Sequence, residues 1–107
     1  MVEEIEPKDL AQLLRRGDPE LLLLDVREDF ERETASIDGS IHIPMNEIAG
    51  RLHELPSDRR IVVYCHHGGR SEAVAGYLES QGYPAVLNLT GGIDLWSLTV
   101  DRTLRRY

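Results

Sequence analysis

Residues Ile61–Leu78 read IVVYCHHGGRSEAVAGYL, and this stretch decides the fold. Ile61–Tyr64 is a continuous apolar run rich in β-branched residues, the mark of a strand covered on both faces. Val74, Tyr77 and Leu78 then recur at helical spacing, and Gly82 is a stop. A strand that enters a helix through a short glycine loop is half of a βαβ unit and predicts a parallel sheet. Cys65, the only cysteine in the chain, stands where the strand ends. In open α/β sheets that end is where ligands bind.

The alternation continues on both sides. Val2–Ile5 predicts a short first strand, and Pro7 opens a helix carrying Leu10, Leu13 and Leu14 up to Gly17. Leu21–Val26 predicts a buried strand and Glu28–Glu33 a short helix. Gly39–Pro44 gives another strand. Asn46 is placed to cap a helix presenting Ile48, Leu52 and Leu55, with Pro56 as its stop. Ala85–Leu89 predicts a last strand, Thr90–Trp96 turns into a last helix, and the tail to Tyr107 is polar. The fold class is therefore α/β with helices on both faces of a mainly parallel sheet.

At 107 residues the chain is expected to be one domain, residues 1–107, with a real core. Its net charge of −7 disfavours nucleic acid as a partner. The longest aliphatic run, Leu21–Leu24, is too short for a membrane span, and the acidic start has no leader pattern. A lone cysteine cannot form an internal disulfide, which fits a cytoplasmic protein.

The loop Cys65-His66-His67-Gly68-Gly69-Arg70-Ser71 carries the chemistry. Its glycines permit backbone conformations in which successive N–H groups turn inward as an anion nest. The helix start behind it adds unpaired donors and a positive dipole end. The thiolate is the reactive form of cysteine, and such a cradle favours its charge. Arg70 offers a fork of donors for an oxyanion. The phosphate-loop pattern G-x-x-x-x-G-K-[ST] is absent, and Cys-His-His lacks metal-ligand spacing. Adjacent side chains point in different directions, so His66 and His67 are expected to be exposed and to tune charge or touch a partner.

CHHGGRS, Cys65–Ser71, resembles the Cys-x-x-Gly-x-Arg-Ser loop of rhodanese-like sulfurtransferases. Leu21–Glu28 resembles that family's strand ending in Asp-Val-Arg, here Asp25, Val26 and Arg27. Ser36–Pro44 resembles its Gly-His-Ile-Pro-Gly-Ala-x-Asn-Ile-Pro segment, and Gly91, Gly92 and Trp96 match its Gly-Gly-x-x-x-Trp. The segments occur in the family's order across nearly the whole chain. One departure is Ala35-Ser36-Ile37-Asp38 in place of Gly-His-Ile-Pro, in a turn remote from the loop. No replacement touches Cys65.

The resemblance implies a three-layer rhodanese-like fold with about five parallel strands. It also implies a Cys65 persulfide, formed from a small anionic donor such as thiosulfate and discharged to cyanide, a thiol or a protein acceptor. It implies neither a metal nor an organic cofactor. The amides from His66 to Ser71 are the expected cradle for the outer sulfur, with Arg70 orienting the donor. Asp25 and Arg27 are expected to brace loops, and Trp96 to pack the last helix. His42 and His53 are read as structural or surface residues. With no second cysteine, the monomer cannot resolve its own persulfide.

Two other readings remain open. Related folds hydrolyse phosphate esters with a cysteine loop, but with one more residue between Cys and Arg. The four residues His66–Gly69 make a tighter nest. A sulfur-relay or non-catalytic interaction module is the other alternative.

Overall fold

The computed structural model describes residues 2–107. Five strands, β1 (Glu3–Ile5), β2 (Leu21–Asp25), β3 (Ile41–His42), β4 (Arg60–Tyr64) and β5 (Val86–Leu89), form one sheet. Their order is β1-β5-β4-β2-β3, and every neighbouring pair is parallel. Three α-helices lie between strands, α1 (Pro7–Arg16), α2 (Asp29–Thr34) and α3 (Gly69–Ser80), and a fourth, α4 (Gly92–Thr99), follows β5. No helix among the described residues is long and apolar enough to cross a membrane.

The period of two along a strand sorts the core into two halves. Ile61, Val63 and Cys65 face one side, with Leu22, Leu24, Val74, Ala75 and Leu78. Val62 and Tyr64 face the other, with Leu10, Leu23, Leu89, Ile93 and Trp96. Helix α3 covers the first side, and α1 and α4 cover the second, giving three layers. This explains the unbroken apolar run of β4: neither face meets water. Each fully buried aliphatic contributes about 1.5–3 kcal/mol.

Pro7 occupies the first turn of α1, and Gly17 ends that helix at φ 65°. Helix α2 starts one residue later than the sequence pattern suggests, at Asp29. Two expectations fail more clearly. The helix predicted after Asn46 is a pair of 3-10 segments, Met45–Glu47 and Ala49–Glu54, kinked at Arg51. Asn46 makes no cap bond. The Tyr83 hydroxyl donates to the carbonyls of Leu52 and Leu55, at 3.2 and 2.7 Å, which closes the segment without an α-helical turn. Ile48 and Leu55 are still buried and Leu52 packs on the core. In α3 the buried face is Ser71, Val74, Ala75 and Leu78. Tyr77 is 36% exposed, in a shallow apolar groove with Met45, Ile48 and Ala73. The small residue Ala75 takes the sheet-facing position that the pattern gave to Tyr77.

Candidate active site

Strand β4 delivers Cys65 to the carboxyl edge of the sheet at its centre, between β5 and β2. The thiol is 1% exposed. Gly68 caps α3 at φ 115°, a left-handed conformation that favours glycine. This turn brings the Gly68 N–H to 3.1 Å and the Ser71 N–H to 3.4 Å from Sγ. The first turn of α3 thus points its dipole and its donors at the sulfur.

The Ser71 hydroxyl has one proton and three acceptors in reach: Sγ, the Gly68 carbonyl and Asn88 Oδ1. Asn88 Oδ1 lies closest and takes the proton, so the sulfur rests mainly on backbone donors. The Asn88 amide is held from behind by donating to the Gly68 carbonyl and to Glu4, at 3.2 and 3.0 Å.

The back of the loop is fastened to α4. Ile93 N–H donates to the Cys65 carbonyl at 2.9 Å and Asp94 N–H to the His66 carbonyl at 3.0 Å. In a trans peptide the N–H points opposite the carbonyl, so the amides of His66 and His67 are directed away from α4. Neither they nor the amides of Gly69 and Arg70 have an acceptor among the described residues. Gly92 makes this approach possible. It sits at φ 60°, and a Cβ there would lie 2.4 Å from both carbonyl oxygens.

Arg70 is half-buried and faces Glu31 of α2. Its Nη1 and Nη2 meet the carboxylate at 2.7 and 2.8 Å. The Arg70 hydrogen bonds hold Glu31 at about pKa 2, well below the carboxylate range, and the pairing raises the pKa of Arg70. His66 and His67 do not diverge as adjacent residues were expected to. The loop curves so tightly before Gly68 that their rings stack 4.0 Å apart. His66 is half-buried, and its other face lies on the Tyr107 ring at 3.9 Å and 13°. Its Nε2 is buried and has no hydrogen-bond partner among the described residues. Burial, with the neighbouring His67, pushes His66 below the usual histidine value. His67 is exposed, 3.8 Å from Asp94.

Asp25 and Arg27, at the carboxyl end of β2, are both fully buried. Arg27 donates to Asp25 through Nε and Nη2, at 2.9 and 2.7 Å, and to the carbonyls of Glu31 and Ala35. His42 is bonded to the Arg27 carbonyl at 2.7 Å, whereas His53 is exposed. Trp96 is buried in the core under α4.

Of the residues read from the sequence, Gly68 and Ser71 thus contact the Cys65 sulfur, Arg70 turns to Glu31, His66 stacks between His67 and Tyr107, and Gly69 opens α3. Three participants escaped the sequence reading. Asn88 carried a signal, a lone amide inside an apolar strand. Glu31 and Tyr107 carried none, because only tertiary packing brings α2 and the tail to the loop. Among the described residues no group of three His, Cys, Asp or Glu side chains is placed to hold a metal ion.

The family model of the rhodanese-like domain matches residues 6–99. A sulfurtransferase from Allochromatium vinosum is 41% identical over 97 residues, spanning 91% of this chain and 90% of that protein. The thiosulfate sulfurtransferase GlpE of Pseudomonas syringae is 37% identical over 93 residues, 87% of this chain and 86% of that one. The crystal structure of a rhodanese-related protein from Thermoplasma volcanium matches at TM-score 0.83 and 33% identity, covering 92% of this chain and 93% of that chain. The chain belongs to the rhodanese-like domain family.

Proposed function

We propose that the protein is a sulfurtransferase that carries sulfane sulfur on Cys65. The thiolate attacks the outer sulfur of an anionic donor such as thiosulfate. The donor's S–S bond breaks, and sulfite leaves with the bonding pair. Cys65 is left as a persulfide with its charge on the outer sulfur. Cyanide or a thiol, free or on a protein, then takes that sulfur and restores the thiolate. The attacking form is the thiolate, and the sulfur transfer itself moves no proton.

The observation that carries this reading is the set of backbone donors around Sγ. Gly68 and Ser71 donate to it. The remaining loop amides are free to receive charge one atom further out, where the persulfide would place it. Burial supports the same reading, because a thiol 1% exposed can be reached by a terminal atom more easily than by a bulky group. The four-residue spacing from Cys65 to Arg70 favours a single sulfur over a tetrahedral phosphoryl group. A lone buried thiol without a disulfide partner fits the reducing cytoplasm.

The test is intact mass after incubation with thiosulfate, followed by cyanide and a thiocyanate assay. Wild type should gain one sulfur and release it as thiocyanate, and Cys65→Ser should do neither. If wild type gains no sulfur from thiosulfate or from a persulfidated protein, an interaction module replaces the enzyme. Turnover of an aryl phosphate would favour the phosphatase.

A further inference from the structure

Arg70 is the only arginine or lysine in the loop, and both its Nη atoms are engaged by Glu31. Glu31 belongs to α2, and its side chain is 6% exposed. It is fixed from other directions too. Oε1 accepts the Tyr107 hydroxyl at 2.9 Å, and Oε2 accepts the Glu28 N–H at 2.9 Å. The Tyr107 oxygen accepts from Arg27 Nη1 at 2.9 Å while its ring lies on His66. At the other rim, Asp94 stands between His67 and Arg106. A donor nearing Sγ therefore meets backbone amides, and the one cation of the loop is already neutralised.

We infer that Glu31, positioned by Tyr107, is a specificity-determining residue that withholds Arg70 from the donor and favours low-charge sulfur donors over dianions. This rests on the sulfur-transfer reading of Cys65. A dianion such as thiosulfate must compete with a pre-formed bidentate carboxylate for the guanidinium. A monoanion needs only the nest. The chemistry is the same for both. Thiolate plus thiosulfate gives persulfide plus sulfite, and thiolate plus benzenethiosulfonate gives persulfide plus benzenesulfinate. In each case one S–S bond forms, one breaks, and the leaving group keeps the electron pair.

The experiment compares kcat/KM for thiosulfate and for benzenethiosulfonate, with cyanide as acceptor, in wild type, Glu31→Gln and Tyr107→Phe. Freeing one charge at the site should raise the thiosulfate-to-benzenethiosulfonate ratio about tenfold in Glu31→Gln. Tyr107→Phe removes one hydrogen bond to Glu31 and should move the ratio the same way, by about threefold. A ratio that stays or falls overturns the inference, and an equal loss with both donors would make Glu31 a purely structural residue. If Glu31→Gln fails to fold, Tyr107→Phe decides by the same criterion. Intact mass of wild type separates the two readings. No sulfur added from either donor sinks the sulfur-transfer reading and the inference with it. Sulfur added with an unmoved ratio sinks only the inference.

Discussion

The carboxyl ends of β2 and β4 lie side by side, and the chain just beyond each carries an arginine. At the end of β2, the buried Asp25 and Arg27 are answered by groups within the protein. Arg27 is shared among Asp25, two carbonyls and the Tyr107 hydroxyl. Asp25 also accepts from the Arg27 N–H, from Arg32 and from Tyr64. Past β4, Cys65 is as deeply buried, but donors point at its sulfur, and further amides beyond it have no acceptor among the described residues. Burial is common to both ends; saturation is not. A closed set of hydrogen bonds fixes a shape, whereas a surplus of aligned donors receives a negative atom.

The sharpest way to break this contrast is one substitution at each end. Cys65→Ser should lower thiocyanate production by about a thousandfold or more, with the melting temperature nearly unchanged. Arg27→Met should do the reverse in kind. It strands the Asp25 carboxylate without its main partner, and should cost about 3–5 kcal/mol in urea unfolding. An Arg27→Met protein of normal stability that no longer loads sulfur would move Arg27 from the scaffold into the site.

Gly92→Ala tests whether the loop's amides are aimed from behind. The new Cβ must push on two carbonyl oxygens, at a backbone angle that L residues resist. Strain and overpacking together should cost about 3 kcal/mol by urea unfolding. Because those carbonyls orient the loop, the persulfide yield should fall as well. A destabilised protein with full loading would mean that α4 supports the fold but not the nest.

Acid separates the two ends by degree. Glu31 is held at about pKa 2, from an ordinary 4.5, by Arg70 first. Its stabilisation is fully present above pH 4.5 and is lost as pH falls toward 2, a loss of about 3 kcal/mol. Burial works against the charge of Asp25, but the hydrogen bonds of Arg27 outweigh it, so its pKa is also lowered and its contribution fails in the same direction. Unfolding followed from pH 6 to pH 2 should give monotonically falling stability. Glu31→Gln should flatten part of that slope, and an unchanged slope would remove Glu31 as a source of acid sensitivity.

What could be read in advance follows how local each cause is. The unbroken apolar run Ile61–Tyr64 and the glycines after Cys65 are effects of neighbouring residues, so the strand, the turn and the helix start were legible together. The kinked 3-10 segments after Pro44 were not, because Tyr83, distant in sequence, captures the carbonyls of Leu52 and Leu55. Arg70 was legible as a loop cation, but its charge is offset by Glu31, thirty-nine positions earlier. The tail looked merely polar, yet Tyr107 covers His66 and bridges Arg27 to Glu31. Strands and loops declare themselves in sequence; the charge balance of a site built from three elements does not.

The smallest expected effect bears on the residue adjacent to the nucleophile. Tyr64 precedes Cys65, yet strand alternation sends its ring to the opposite layer. There its hydroxyl accepts from the Ile37 N–H at 3.2 Å and meets Ser40 at 2.9 Å and Asp25 at 3.2 Å. Tyr64→Phe keeps the ring and leaves the Ile37 N–H unanswered, which should cost about 1 kcal/mol in urea unfolding. Sulfur loading and thiocyanate release should match wild type, since none of these contacts reaches the loop. A clear loss of turnover in this variant would show that the saturated end of β2 and the open end of β4 are coupled through the strand, and would dissolve the division between them.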